Sequence, residues 1–255
     1  MPLDGLSALD QLILLGSALV ANWFSALAGG GAGLLQFPVL IFLGLPFALA
    51  LATHKIATVA LGLGSTLRHL QGESLERQLS VVLLLAGLPG VVIGASYILQ
   101  VPESPARMAL GALTVAMGLY SLFKPQLGLS AEPRNREGRG LLIGAIGVFA
   151  IGVLNGSLSS GSGLVLTLWQ IKWFGLDYKR ATAHTLALCG LLWNGTGALV
   201  LGTLGEVAWA WIPALLIGSF VGGYLGSHYA IGKSNAWIKR VFEIVTLVVG
   251  VRLLI

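Results

Sequence analysis

Residues 26–45 read ALAGGGAGLLQFPVLIFLGL, and residues 156–176 read GSLSSGSGLVLTLWQIKWFGL. In the first stretch Gly29, Gly30, Gly31 and Gly33 break an apolar pattern that has run since residue 8. Residues 8–28 are long enough to cross a bilayer as helix, whereas the apolar piece after the break, 34–45, is too short to cross alone. The second stretch repeats the arrangement: the run 140–158, then Ser159, Ser160, Gly161, Ser162 and Gly163, then a short piece, 164–174. Short apolar segments cut off by glycine are what re-entrant or discontinuous membrane helices look like. Successive glycines allow sharp turns and leave backbone N–H groups uncovered.

The other long apolar runs lie near 49–68, 78–99, 105–123, 181–201, 207–230 and 236–255. They are continuous, whereas a membrane barrel needs alternating segments of about ten residues. Composition excludes a soluble domain: only 10% of the 255 residues are charged, against roughly 25% in water-soluble domains. Mean hydropathy is +0.87. The expected fold is an all-α integral membrane protein with about eight long transmembrane helices and two short re-entrant or broken ones. The net charge of +5 does not point to nucleic acid, because the basic residues sit in short gaps beside apolar runs. A single cysteine, Cys189, excludes an internal disulfide and a cysteine-built metal site. The first ten residues lack Lys and Arg, so the first run is expected to stay in the mature protein.

The polar stretch KPQLGLSAEPRNREGR, 124–139, divides the chain into a first membrane repeat, 1–123, and a second, 140–255. An offset of 130 superposes Gly31-Ala32-Gly33-Leu34 on Gly161-Ser162-Gly163-Leu164, and also pairs His54 with His184, Thr66 with Thr196 and Glu76 with Glu206. That is the pattern of an internal duplication. With five membrane segments per half, one side collects Arg68, Arg77, Lys124, Arg134, Arg136, Arg139, Lys172, Lys179, Arg180, Lys233, Lys239 and Arg240. The other side has only Arg107 and Arg252. The positive-inside bias places the central linker in the cytoplasm and both termini outside, with the repeats inverted.

Gly30, Gly31, Gly33, Ser159, Ser160, Gly161, Ser162 and Gly163 are candidate ligands of an anion, since the start of a helix offers free amides and a positive dipole end. Tight packing through small residues is the competing reading. His54, Lys55, His184 and Thr185 lie early in equivalent segments, and ionisable groups there must avoid lipid. The histidines could bind the anion and couple it to a proton, or bond across helices; Lys55 could face the site or snorkel to the outer interface. Gln36 and Asn194 are buried amides that either line the path or join helices.

Ala28-Gly-Gly-Gly-Ala-Gly-Leu-Leu-Gln-Phe-Pro38, Leu43-Gly-Leu-Pro46 and Ala52-Thr-His54 resemble the sulfite exporter TauE/SafE family. A weaker copy follows in Gly156-Ser-Leu-Ser-Ser-Gly-Ser-Gly163, Phe174-Gly-Leu176 and Ala181-Thr-Ala-His184. The resemblance spans essentially the whole chain. It implies a multi-pass protein of the bacterial or archaeal cell (inner) membrane that moves a sulfur-containing anion such as sulfite, a sulfonate, sulfoacetate or thiosulfate. Many family members carry Thr-Ser or Asn-Ser where this chain has Thr53-His54 and Ala183-His184. The expected function is secondary transport by alternating access, in the export direction, without enzyme activity or cofactor. A passive anion channel and a non-transporting membrane scaffold stand as alternatives, and no oligomeric state follows from the residues.

Overall fold

Residues 7–70, 75–97, 103–158 and 161–254 are described by the structure, a computed structural model. In chain order the helices are α1 (Ala8–Ala28), α2 (Gly33–Phe42), α3 (Phe47–His69), α4 (Arg77–Tyr97), α5 (Glu103–Leu122) and α6 (Gly138–Leu158). They continue with α7 (Ser162–Trp169), which runs into a π turn over Gln170–Phe174, and α8 (Tyr178–His184). A π-helix over Thr185–Trp193 joins α8 to α9 (Asn194–Leu204); α10 (Ile212–Ile231) and α11 (Asn235–Leu254) complete the chain. No strand occurs among the described residues. Among the described residues six segments are long and apolar enough to cross a membrane, including the α8–α9 rod, Tyr178–Leu204, of 27 residues. Large side chains such as Leu12, Leu85, Ile146, Ile217 and Val248 lie exposed on the outside. The chain is an all-α, multi-pass membrane protein.

Ser7 starts α1 by accepting from the Asp10 N–H while Asp10 Oδ2 accepts from the Ser7 N–H, the two halves of a capping box. Gly29 ends the helix in the left-handed conformation, and the N–H groups of Gly29 and Gly30 both donate to Ser25 O. Gly30 and Gly31 keep φ positive, at 151° and 95°, a run of conformations that residues with a Cβ rarely adopt. The chain therefore reverses, and α2 travels back toward the side where α1 began. Leu14 of α1, Leu40 and Leu45 beyond the turn, and Trp211 share one buried cluster there. Helix α7 does the same on the opposite side: its far end meets the linker, where Glu132 N donates to Gly175 O (2.8 Å) and Arg134 N to Phe174 O (3.2 Å). Two hairpins thus enter from opposite faces.

Packing is exchanged between the halves. Helix α1 lies along α10, α4 along α6, and α5 along α11. Glycines make the first two contacts close. A Cβ on Gly226 would come 2.5 Å from Trp23 O, and one on Gly156 would collide with Val91 O. In lipid there is no hydrophobic drive between helices, so this backbone proximity carries the association. Substituting Gly156→Leu is expected to cost about 3 kcal/mol of overpacking, a fall of roughly 10 °C in the melting temperature of the detergent-purified protein. An unaltered melting curve would mean that α4 and α6 are not in this contact.

On the linker side a buried polar tie joins three helices. Lys239 Nζ donates to Glu243 Oε1 (2.6 Å) and to Ser121 O (2.6 Å), while Ser121 Oγ bonds Glu243 and Tyr178. Lys239, grouped by sequence with the interfacial cations, is held inside the protein instead: it is 7% exposed because its carboxylate partner is one turn away on the same helix.

Candidate functional site

The two glycine breaks meet. A Cβ on Gly30 would lie 2.8 Å from both the carbonyl carbon of Gly163 and the nitrogen of Leu164, so the strands of backbone at the tips of the hairpins are in direct contact. Thr167 Oγ1 reaches across to Gly29 O (3.1 Å). Beside this contact is a cavity of about 40 Å³. Gly29–Gly33 and Gly163 supply the hairpin wall; Ser25, His54, Thr58 and Leu61 come from α1 and α3; Asn155 comes from α6. The π-helix contributes Thr185, Leu186, Cys189 and Gly190, and Asn194 follows at the start of α9. A π-helix spreads the turn and is often found at functional positions. Here it sets Gly190 against Gly62 of α3.

Lys55 lies one layer behind this wall and is completely buried. Its Nζ donates to the backbone oxygen of Asn155, to Asn155 Oδ1 (3.0 Å) and to Asn194 Oδ1 (3.2 Å). Three acceptors around one nitrogen match the three donors of an ammonium. All three are neutral. Among the described residues no carboxylate pairs with Lys55, and none lines the cavity. The snorkelling alternative fails, because the side chain runs inward along Gly197, where a Cβ would lie 3.2 Å from its terminal methylenes. A lysine at the centre of a membrane helix costs about 3 kcal/mol and calls for a partner.

His54 Nδ1 donates to Gln36 Oε1 (3.1 Å), leaving Nε2 free. Gln36 is held in turn by Ser219 Oγ and Asn22 Nδ2, both at 3.4 Å, so it positions the imidazole and does not itself line the cavity. Ser25 Oγ lines the cavity, is buried and has no hydrogen-bond partner. An unpaired buried hydroxyl costs on the order of 1–3 kcal/mol. Asn155 Nδ2 donates to Ser162 Oγ (3.0 Å) and approaches Cys189 Sγ (3.4 Å), tying the second hairpin to Lys55.

Of the candidates read from sequence, Gly30, Gly31, Gly33, His54, Gly163, Thr185 and Asn194 come together around the cavity, with Lys55 directly behind. Gly161 caps α7 with φ 82° and Ser162 supports Asn155; neither lines the cavity. Ser159 and Ser160 fall outside the described residues. His184 departs from the expected pairing. Its Nδ1 donates to Arg180 O (2.8 Å) one turn back in α8, and its Nε2 accepts from the Glu76 N–H (2.9 Å) just before α4, so both nitrogens are engaged on the linker side, away from the cavity. Equal positions at the offset of 130 therefore do not converge: His54 borders the cavity and His184 lies on the linker side. Ser25, Thr58 and Cys189 do not stand out in the sequence, whereas Asn155, before the second break, reads as a buried amide that either lines the path or joins helices. Ser25 had one visible signal: it precedes Gly29 by four residues, and so shares its helix face.

A family model described as sulfite exporter TauE/SafE matches residues 14–253. The chain is 29% identical over 238 residues to the probable membrane transporter protein YfcA of Escherichia coli (strain K12), covering 93% of this chain and 87% of that protein. It is 27% identical over 238 residues to a probable membrane transporter protein of Haemophilus influenzae, at 92% and 90% coverage. With the probable membrane transporter protein YunE of Bacillus subtilis the identity is 23% over 269 residues, at 95% and 96% coverage.

Proposed function

This chain belongs to the sulfite exporter TauE/SafE family of membrane transporters, and from that premise we propose that it is a secondary carrier of a compact sulfur oxyanion, working by alternating access. The observation that carries the reading is Lys55: a buried ammonium with only neutral partners, separated from a cavity by the two amides that bind it. An oxyanion in the cavity supplies the missing counter-charge. The uncovered amides of the α2 start, Ser25 Oγ and the Asn194 amide provide its hydrogen bonds. Nδ1 of His54 is committed to Gln36, so Nε2 can donate to the anion only when the ring takes a second proton; anion and proton then travel together.

Cavity size narrows the substrate. One water needs about 10–15 Å³ of such space, so 40 Å³ holds only a few heavy atoms. Sulfite and thiosulfate suit it better than an aromatic sulfonate. The exchanged packing of α1 with α10 and α6 with α4 supports two inverted repeats, 1–123 and 140–255, about the cytoplasmic linker 124–139. Rocking of the hairpins about their shared contact would open the cavity to either side, with export as the working direction.

Thermal unfolding of the detergent-purified protein tests the ligand class. Sulfite or thiosulfate at a hundred times its dissociation constant should stabilise the fold by about 2.7 kcal/mol, and toluenesulfonate should not. Counterflow of labelled anion in proteoliposomes separates carrier from channel, since only a carrier exchanges. If no small sulfur oxyanion raises the melting temperature, the reading is wrong.

A further inference from the structure

Several buried polar side-chain atoms have no hydrogen-bond partner, and three of them face one small space. Beyond Ser25 Oγ in the central cavity, they include both ring nitrogens of His69 and Thr182 Oγ1. His69 is 5% exposed and Thr182 1%, so neither is satisfied by bulk water. The two residues line one small space of about 10 Å³, walled otherwise by Lys179, Ala230, Ile231 and Ile238. That is room for about one water. Thr182 stands directly against the first hairpin tip: a Cβ on Gly29 would come 3.0 Å from its Oγ1, and Gly29 lines the central cavity on its other side. At the far end Lys179 is partly exposed, and its Nζ donates to Ile231 O (3.0 Å) on the linker side.

We infer that Thr182 and His69 form a second, inner subsite for the transported anion, on a route that runs from the central cavity past Gly29 to Lys179 and the linker side. The inference rests on the transport reading of the central cavity. Thr182, His69 and Lys179 all line this small space, and among the described residues no carboxylate does. All three can donate to an oxyanion, which is the chemistry an anion passing through a narrow neck requires. Left unpaired in the closed arrangement, the Thr182 hydroxyl and the His69 imidazole each carry a desolvation penalty. Their pairing with the anion or its water when the neck widens accounts for their being there.

Two measurements test the route. The first uses the Thr182→Cys variant in a Cys189→Ala background, reconstituted in one orientation. The probe is the membrane-impermeant anion 2-sulfonatoethyl methanethiosulfonate, added to either side. Labelling at least tenfold faster from the linker side is expected; no labelling from that side, or faster labelling from the other, overturns the proposal. The second compares His69→Leu with His69→Gln in sulfite counterflow. His69→Leu should slow exchange at least tenfold while sulfite still stabilises the fold with a dissociation constant within twofold of wild type, and His69→Gln should recover most of the rate. Wild-type exchange by His69→Leu overturns the route. Absence of sulfite binding by the wild-type protein would instead strike the central-cavity reading, and the labelling result would still decide whether Thr182 faces an inner path.

Discussion

Lys55→Met is expected to abolish stabilisation by sulfite and to reduce transport at least a hundredfold, while the protein inserts and folds as well as wild type or better. Methionine has nearly the volume of lysine and no charge, so the cost of about 3 kcal/mol for a lysine at the bilayer centre disappears. The amides of Asn155 and Asn194 lose a shared donor, but Asn155 Nδ2 already lies 3.2 Å from Asn194 Oδ1 and can keep them together. What vanishes is the positive charge directly behind the cavity wall. Lys55→Arg should not rescue, because the side chain passes Gly197 too closely for a planar guanidinium to replace a methylene chain. Melting curves with and without sulfite, together with counterflow, provide the check. Undiminished stabilisation of Lys55→Met by sulfite would remove lysine from the account of binding.

Gly30→Leu should bring transport to background, a loss of at least a hundredfold. A side chain there meets backbone atoms of Gly163 and Leu164 at 2.8 Å, and backbone cannot move aside as a side chain could. The residue also holds φ at 151°, outside the range an L side chain accepts easily. The hairpin tips must separate, and the cavity loses two of its walls together. Gly16→Leu is the matched control: it lies on α1, and a Cβ there has nothing within 4 Å. Its transport should equal wild type. Equal activity in the two variants would mean that contact between the tips has no role in the cycle.

Much of this architecture is legible in the residues. The glycine runs 29–33 and 161–163 mark both reversals because apolar helices cannot otherwise stop inside lipid, where every backbone group needs a partner. The short lengths of 34–45 and 164–174 then announce hairpins. The site was half legible. Gly30, Gly163, Thr185 and Asn194 stand out in sequence because a polar or glycine residue inside an apolar run needs a reason, and the structure brings them to one cavity. His184 lies elsewhere because an offset in sequence says nothing about which neighbours a residue meets once the helices pack. The π-helix over 185–193 left no sequence signal, since widening a helical turn depends on what packs against it.

By itself, then, the amino-acid sequence determined the solvent, the helical class, the two interruptions and the family, because hydropathy and backbone conformation are local properties that each segment carries alone. Tertiary structure decided that the interruptions touch, that Lys55 points inward onto neutral amides, and that His54 borders the cavity while His184 accepts from the N–H just before a distant helix. Those outcomes depend on distances between segments more than a hundred residues apart, and such distances are set by the close glycine crossings of α1 with α10 and α4 with α6.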